Sequence, residues 1–267
     1  MPIWLTQYPN KLDVGYHEIK GEQLASLFYW QKTLIMQKEL ISYLSNLITP
    51  ERLNLFEKIL EQRTSYLTIV LEDIFQPQNA SAVLRTCDCF GIQHIHIIEN
   101  RNEFTVDREV AMGASKWLSL HKYNQEKNNS LNAIRVLKEK GYRIVATSPH
   151  LNDSLLPEFD LSKGKAAIVF GSELPGISDA ILNEADEFLK IPMYGFTESF
   201  NISVSAAIVM YQLAQKLREL PEIDWKLSEQ EKDDIKLAWL HATIKRSSML
   251  EKRFLKEWKQ KEQKSES

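Results

Sequence analysis

Asn79 and Arg85 stand six residues apart in QPQNASAVLRTCDCFG, residues 76–91, a segment that is otherwise small or apolar. Its signals are those of a helix: a turn at Gln76-Pro77-Gln78, a face of alanine, valine and leucine, and Gly91 as a stop. Asn79 can cap a helix beginning near Ala80, or hold a ligand through an amide that both donates and accepts. Arg85 falls in the second turn among Ala80, Ala82, Val83 and Leu84. An unpaired guanidinium packed there would be costly, so an anion or a carboxylate is expected beside it.

Two further loops carry residues that could do chemistry. In IVFGSELPGIS, residues 168–178, a buried-type strand runs into Gly-Ser-Glu and then Pro-Gly. That tight turn either lets its backbone approach a ligand closely or simply joins strand to helix. In IPMYGFTESFNISVSAAIVMYQL, residues 191–213, Gly195, Thr197, Glu198, Ser199 and Asn201 precede a helix of small and apolar residues. Ser199 or Asn201 caps that helix or faces a site, and the helix fits closely against the sheet or a second copy of itself.

The elements that must position these loops follow from periodicity. Residues 30–48 and 51–63 repeat apolar positions at three and four and read as amphipathic helices, the second started by Thr49-Pro50-Glu51. From Tyr66 onward short β-branched runs (66–72, 94–98, 142–148, 166–171 and 187–193) alternate with helical segments at 79–90, 130–140, 177–186 and 201–220. Such alternation predicts an α/β fold, a mostly parallel sheet flanked by helices, with ligands at the carboxyl ends of the strands. The chain divides into a helical N-terminal extension at 1–64, a central domain at 65–220 and a helical, basic C-terminal extension at 221–267. No element is assigned to the first 29 residues.

Composition narrows the class of protein. A charged fraction of 26% with no apolar run near the roughly 20 residues that cross a bilayer predicts a soluble protein. The start, MPIWLTQYPNKLDVGYHE, lacks a basic stretch followed by an apolar one, so a cytoplasmic location is expected. Cys87 and Cys89 are too close for an ordinary disulfide or a four-ligand zinc site, and both read as buried thiols with no metal. A net charge of −3 excludes a generally basic coat. The tail is different: residues 241–264 hold eight Lys or Arg against three Glu, a stripe that can bind phosphates or be a solvated helix face.

Taken together, Asn79 to Arg85 as N-x5-R, Gly171 to Gly176 as GSE-x-x-G, and Ile191 to Ser203 as IPM followed by S-x-N-x-S resemble the three motifs of the TrmH (SpoU) branch of the SPOUT RNA methyltransferases. The resemblance covers roughly residues 51–215 and is nearest to members acting on a tRNA guanosine. It implies a trefoil knot in the C-terminal part of the sheet, a homodimer with helix 201–220 as its contact, and transfer of a methyl group from S-adenosyl-L-methionine to a ribose 2′-hydroxyl. It also implies that Thr147, Gly171, Ile191, Met193 and Phe200 bind the cofactor and that Arg85, Asn79, Glu173, Ser199 and Asn201 are catalytic. Arg63, Lys245, Arg246, Lys252 and Arg253 are expected to bind RNA, foremost the tRNA D-loop, with ribosomal RNA as the alternative. Members often carry leucine where Phe200 stands, and a smaller residue where Pro175 stands. Arginine is often described as the base in such sites. An ordinary guanidinium has a pKa near 13, and bringing it to 7 takes roughly 6 units, about 8 kcal/mol, so a phosphate clamp that stabilises the developing alkoxide is the role expected of Arg85.

Overall fold

The computed structural model describes residues 21–148, 154–173 and 175–265. In chain order these form α1 (Gly21–Ser45), α2 (Pro50–Leu60), β1 (Leu67–Glu72), α3 (Pro77–Phe90), β2 (His94–Ile98), α4 (Arg108–Ala111), β3 (Ser119–Tyr123), α5 (Asn129–Glu139) and β4 (Arg143–Thr147). There follow β5 (Ser154–Leu155), β6 (Ala166–Phe170), α6 (Asp179–Leu182), β7 (Glu187–Lys190), α7 (Ile202–Glu219), α8 (Glu229–Thr243) and α9 (Ser247–Ser265). The seven strands make one sheet in the order β3-β2-β1-β6-β4-β7-β5, and every pairing is parallel.

Strand β1 shows why the sheet is covered on both faces. All six of its residues are buried, and alternate ones go to opposite cores. Leu67, Ile69 and Leu71 pack with Val83, Leu84 and Cys87 of α3 and Val209, Met210 and Leu213 of α7. Val70 packs on the other side with Ala133, Ile134 and Leu137 of α5 and Ile181 of α6. A third core joins Leu40, Ile41 and Leu44 of α1 to Phe56 and Leu60 of α2 and to Trp239 and Leu240 of α8. The N- and C-terminal helices therefore pack on each other.

Several expected signals act as read. Thr49 caps α2 by accepting from Arg52 N, with Pro50 in the first turn. Gly91 ends α3 at φ +74°, and a Cβ there would lie 2.4 Å from the Gln62 carbonyl oxygen. α7 stops ahead of Pro221. Other boundaries differ. α1 is already helical at Gly21, the first described residue and ahead of the expected Trp30, and the helix expected over 177–186 is only the four residues of α6, because the chain must reach β7 by Glu187. β3 and β5 have no counterpart in the sequence reading: β3 is a half-buried edge strand reading SLHKY, and β5 is two residues long. Residues 1–20, 149–153, 174 and 266–267 lie outside the described ones.

The β2–β3 edge holds a histidine cluster. His94 Nδ1 is 3.1 Å from His121 Nε2, His96 Nδ1 is 2.8 Å from the Tyr123 hydroxyl, and the His96 and His121 rings stack at 4.6 Å. Burial, reinforced by Lys140 and Lys165 around His94, pushes that histidine down to about 4 against a weaker pull from Glu231. Burial likewise takes His121 to about 3, helped by His94 and Lys140, and lowers His96 well below its ordinary value. A histidine whose folded pKa lies below its unfolded value near 6.5 contributes stability that is complete above 6.5 and lost as pH falls toward the folded value. The urea midpoint is therefore expected to fall between pH 6.5 and 5, a window above the titration of ordinary carboxylates. His121→Phe should flatten that slope, and an unchanged slope would refute the assignment.

Candidate active site

The carboxyl ends of β4, β6 and β7 open onto a cavity of about 600 Å³. Its wall includes all five residues expected to bind cofactor, Thr147, Gly171, Ile191, Met193 and Phe200, together with Glu173, Ser199 and Asn201. The loops after β4, β6 and β7, far apart in sequence, thus meet where the order of a doubly wound sheet places ligands. Phe170, Ile177, Leu182 and Leu189 add apolar surface, and Ser148, Ser172 and Ser205 add hydroxyls.

The Gly-Ser-Glu loop is shaped by its backbone. Ser172 N donates to Gly176 O and Gly176 N to Ser172 O, both at 3.1 Å, so the turn folds back on Gly171. A Cβ on Gly171 would lie 2.2 Å from the carbonyl carbon of Gly176, which only glycine avoids. Glu72, buried at the end of β1, pins the far side of the loop. Its carboxylate accepts from Ser178 N at 2.8 Å, from Ser178 Oγ at 2.6 Å and from Ser130 Oγ. Nothing in the sequence marks Glu72 beyond its being a carboxylate at the end of an apolar strand.

Asn79 links the start of α3 to the Gly-Ser-Glu loop and the start of α7. Its amide nitrogen donates to Glu173 Oε1 at 2.8 Å and to Gln76 Oε1 at 3.1 Å, and its oxygen accepts from Asn201 Nδ2 at 3.1 Å. Glu173 Oε2 in turn accepts from Phe75 N at 3.3 Å. Of the two roles open to Asn79, capping is not the one it takes: α3 begins at Pro77 with Gln76 as the capping position, which leaves Asn79 inside the first turn. With both donors spent, it braces Glu173 and Asn201. Asn201 does cap α7, accepting from Ser203 N at 2.8 Å and Ser203 Oγ at 2.6 Å, and keeps one amide hydrogen unspent. Ser199 is exposed at the cavity wall.

Two arginines differ from expectation in opposite ways. Arg85 is exposed, makes no hydrogen bond or ion pair with the described residues, and is not part of the cavity wall. The buried stripe of α3 runs through Ala80, Val83, Leu84 and Cys87, and Arg85 lies off it with Gln78 and Cys89, so no desolvation cost forces a partner on it. Arg63, expected on the RNA-facing surface, has a side chain only 3% exposed; it pairs with Asp88 and lies 5.5 Å under the Trp239 ring of α8. The thiols also part: Cys87 is buried, with its pKa raised by burial, and Cys89 is exposed. Lys245 and Arg246 are exposed in the turn between α8 and α9, and Lys252 and Arg253 are exposed on α9, where Arg253 pairs with Glu257 at 2.9 Å.

Residues 66–211 match the model of the SpoU rRNA Methylase family. The chain belongs to this family. Among the SpoU relatives it is 46% identical over 211 residues to the tRNA (guanosine(18)-2′-O)-methyltransferase of Borreliella burgdorferi, covering 79% of this chain and 94% of that one. It is 35% identical over 170 residues to the enzyme of the same name from Thermus thermophilus, covering 64% and 84%. The solved TrmH/SpoU tRNA modifying enzyme of Aquifex aeolicus superimposes with a TM-score of 0.63 at 28% identity, over 73% of this chain and 98% of that one. The cavity of this SpoU protein fits S-adenosyl-L-methionine on its own chemistry. Its apolar wall suits an adenine ring, the buried Ser172 hydroxyl lacks any hydrogen-bond partner among the described residues, and the Glu173 carboxylate at the wall suits a cationic donor.

Proposed function

We propose that this protein transfers a methyl group from S-adenosyl-L-methionine to the ribose 2′-hydroxyl of a guanosine in the tRNA D-loop. The observation that carries the reading is that Asn79, behind the wall, is hydrogen-bonded directly to Glu173 and Asn201, which line the cavity. The tRNA substrate is supported by the similarity to the Borreliella enzyme, which spans most of both chains. Bound S-adenosyl-L-methionine supplies a methyl group on a sulfonium, and displacement requires the attacking oxygen in line with it.

The chain's own residues then divide the work. Thr147, Gly171, Ile191, Met193 and Phe200 hold the donor; Thr147 Oγ1 donates to Val169 O at 2.8 Å, which leaves its oxygen to accept from a ligand. Glu173 and Asn79 fix Asn201 so that its remaining amide hydrogen addresses the ribose, and Ser199 hydrogen-bonds beside the reacting hydroxyl. Arg85 clamps the neighbouring phosphate and stabilises the developing alkoxide, while the proton leaves to that phosphate or to water.

The rest of the chain serves the substrate. An unpaired loop can splay a ribose into a pocket, which A-form RNA resists. Residues 221–267 form an RNA-binding extension through Lys245, Arg246, Lys252 and Arg253, residues 65–220 the methyltransferase domain, and residues 1–64 a helical support that packs on the extension. The protein works in the cytoplasm as a homodimer paired through the exposed face of α7, where Val204 and Tyr211 stand in solvent. Among the described residues no helix is long and apolar enough to cross a membrane.

The test is incubation with methyl-labelled S-adenosyl-L-methionine and an unmodified tRNA transcript, followed by mass spectrometry of nucleosides. One 2′-O-methylguanosine per tRNA, lost when the target carries 2′-deoxyribose, is the expected result. Label entering ribosomal RNA alone would move the substrate to that RNA, and label entering no RNA would overturn the activity.

A further inference from the structure

The described residues expose five aromatic side chains, and all lie on the loops of the site or on the helix that follows: Phe75, Tyr194, Phe196, Phe200 and Tyr211. Of these, Phe75 is tied by a backbone hydrogen bond to Glu173, one of the residues proposed to act in the reaction. The residue is 71% exposed, whereas its backbone N–H is held by Glu173, the carboxylate that also accepts from Asn79. Ile74 beside it is buried in the core, so the chain entering α3 is anchored immediately before the ring leaves it. A phenyl ring reaches only a short way from its own Cα, so the ring stays near that carboxylate in any rotamer.

Resting on the proposed RNA 2′-O-methylation, we infer that Phe75 is the stacking platform for the base of the target nucleotide. A nucleotide extruded so that its ribose enters a site presents its base to the adjoining surface, and flipped bases are held between aromatic or apolar side chains. The exposed side of the loop from Asp73 to Gln76 otherwise carries the polar Gln76, and Phe75 is not part of the core formed by the described residues. A base gives it a partner. The stack fixes the glycosidic end of the nucleotide while the phosphate is held at the other, so the 2′-hydroxyl is set in rotation as well as in position.

The test is a double-mutant cycle on full-length protein with two tRNAs, one normal and one made by ligation with an abasic residue at the target. Phe75→Ala and Phe75→Leu are expected to lower kcat/KM for normal tRNA by roughly 10- to 100-fold, the range of one base–aromatic stack. Phe75→Trp should retain activity. Affinity for S-adenosyl-L-methionine and the sedimentation coefficient should not change. On the abasic tRNA the wild-type protein should fall by a similar factor, and Phe75→Ala should add little to that fall. Wild-type activity in Phe75→Leu, an undiminished Phe75→Ala effect on the abasic tRNA, or an altered oligomeric state would each overturn the stacking role. Failure of the wild-type protein to methylate any RNA would instead overturn the reading on which it rests.

Discussion

Arg85→Ala is expected to lower methyl transfer to tRNA by about 10²–10³-fold, the cost of removing one group that stabilises developing negative charge. The same change should leave the melting temperature and the affinity for S-adenosyl-L-methionine untouched. Arg85 is exposed, bonds to nothing described and contributes nothing to the cavity wall, so its side chain has no structural contact to lose. That separation makes the measurement decisive. Activity within about twofold of wild type would remove Arg85 from the reaction, since surface substitutions away from special features are close to neutral. Its position off the wall also bears on the dimer. If Arg85 of one copy serves the cavity of the other, mixing Arg85→Ala with Asn201→Ala rebuilds one complete site in each mixed dimer. An isologous pair re-associating at random would then recover about a quarter of wild-type activity. If Arg85 serves its own cavity, the mixture gains nothing over the separate variants. A conservative Arg85→Lys should keep the shape of the pH–rate profile and lower its height, because lysine preserves the charge and loses the bidentate geometry.

How far the sequence reveals this site depends on the kind of residue. Buried strands β1, β2 and β6 are legible because parallel strands covered on both faces read as short, mostly apolar runs rich in Ile and Val. Strand β3 is not, since an edge strand half in water carries serine, histidine and lysine and has no such run. The three loops are legible because their residue types sit oddly against their neighbours, and the cavity collects eight of the residues singled out for cofactor and chemistry. What composition cannot give is the pairing of side chains. Asn79 looks like a helix cap and is an amide brace, because Pro77 starts the helix one turn earlier. Arg85 looks packed beside apolar neighbours, yet at 100° per residue position 85 falls off the stripe through Ala80, Val83, Leu84 and Cys87. Arg63 is expected to face RNA only through the family resemblance, and the long-range return of α8 that puts Trp239 over it leaves no local mark in the sequence.

Gly171→Ala should damage both cofactor binding and the fold, because the atoms in its way are backbone. The added Cβ would stand 2.2 Å from Gly176 C, 2.3 Å from Gly176 O and 2.3 Å from Ile177 N. A flexible side chain could swing aside from such a contact, but this loop is held twice over. Ser172 and Gly176 close it with reciprocal hydrogen bonds, and Ser178 fastens its exit to the buried carboxylate of Glu72. Relief therefore requires opening that bridge or dragging Glu72 away from Ser130. Overpacking of this kind costs about 1–3 kcal/mol, and in a chain of this size each kcal/mol lowers the melting temperature by roughly 2–4 °C. Since Ser172 and Glu173 move with the loop, affinity for S-adenosyl-L-methionine should fall by at least about tenfold, the equivalent of 1.4 kcal/mol. Gly195→Ala is the control. A Cβ there meets nothing within 4 Å, so its effect on stability should stay within about 0.5 kcal/mol. Calorimetric titration of the donor and thermal melts of both variants check the pair, and a Gly171→Ala protein that binds and melts like wild type would show that the loop yields where its hydrogen bonds say it cannot.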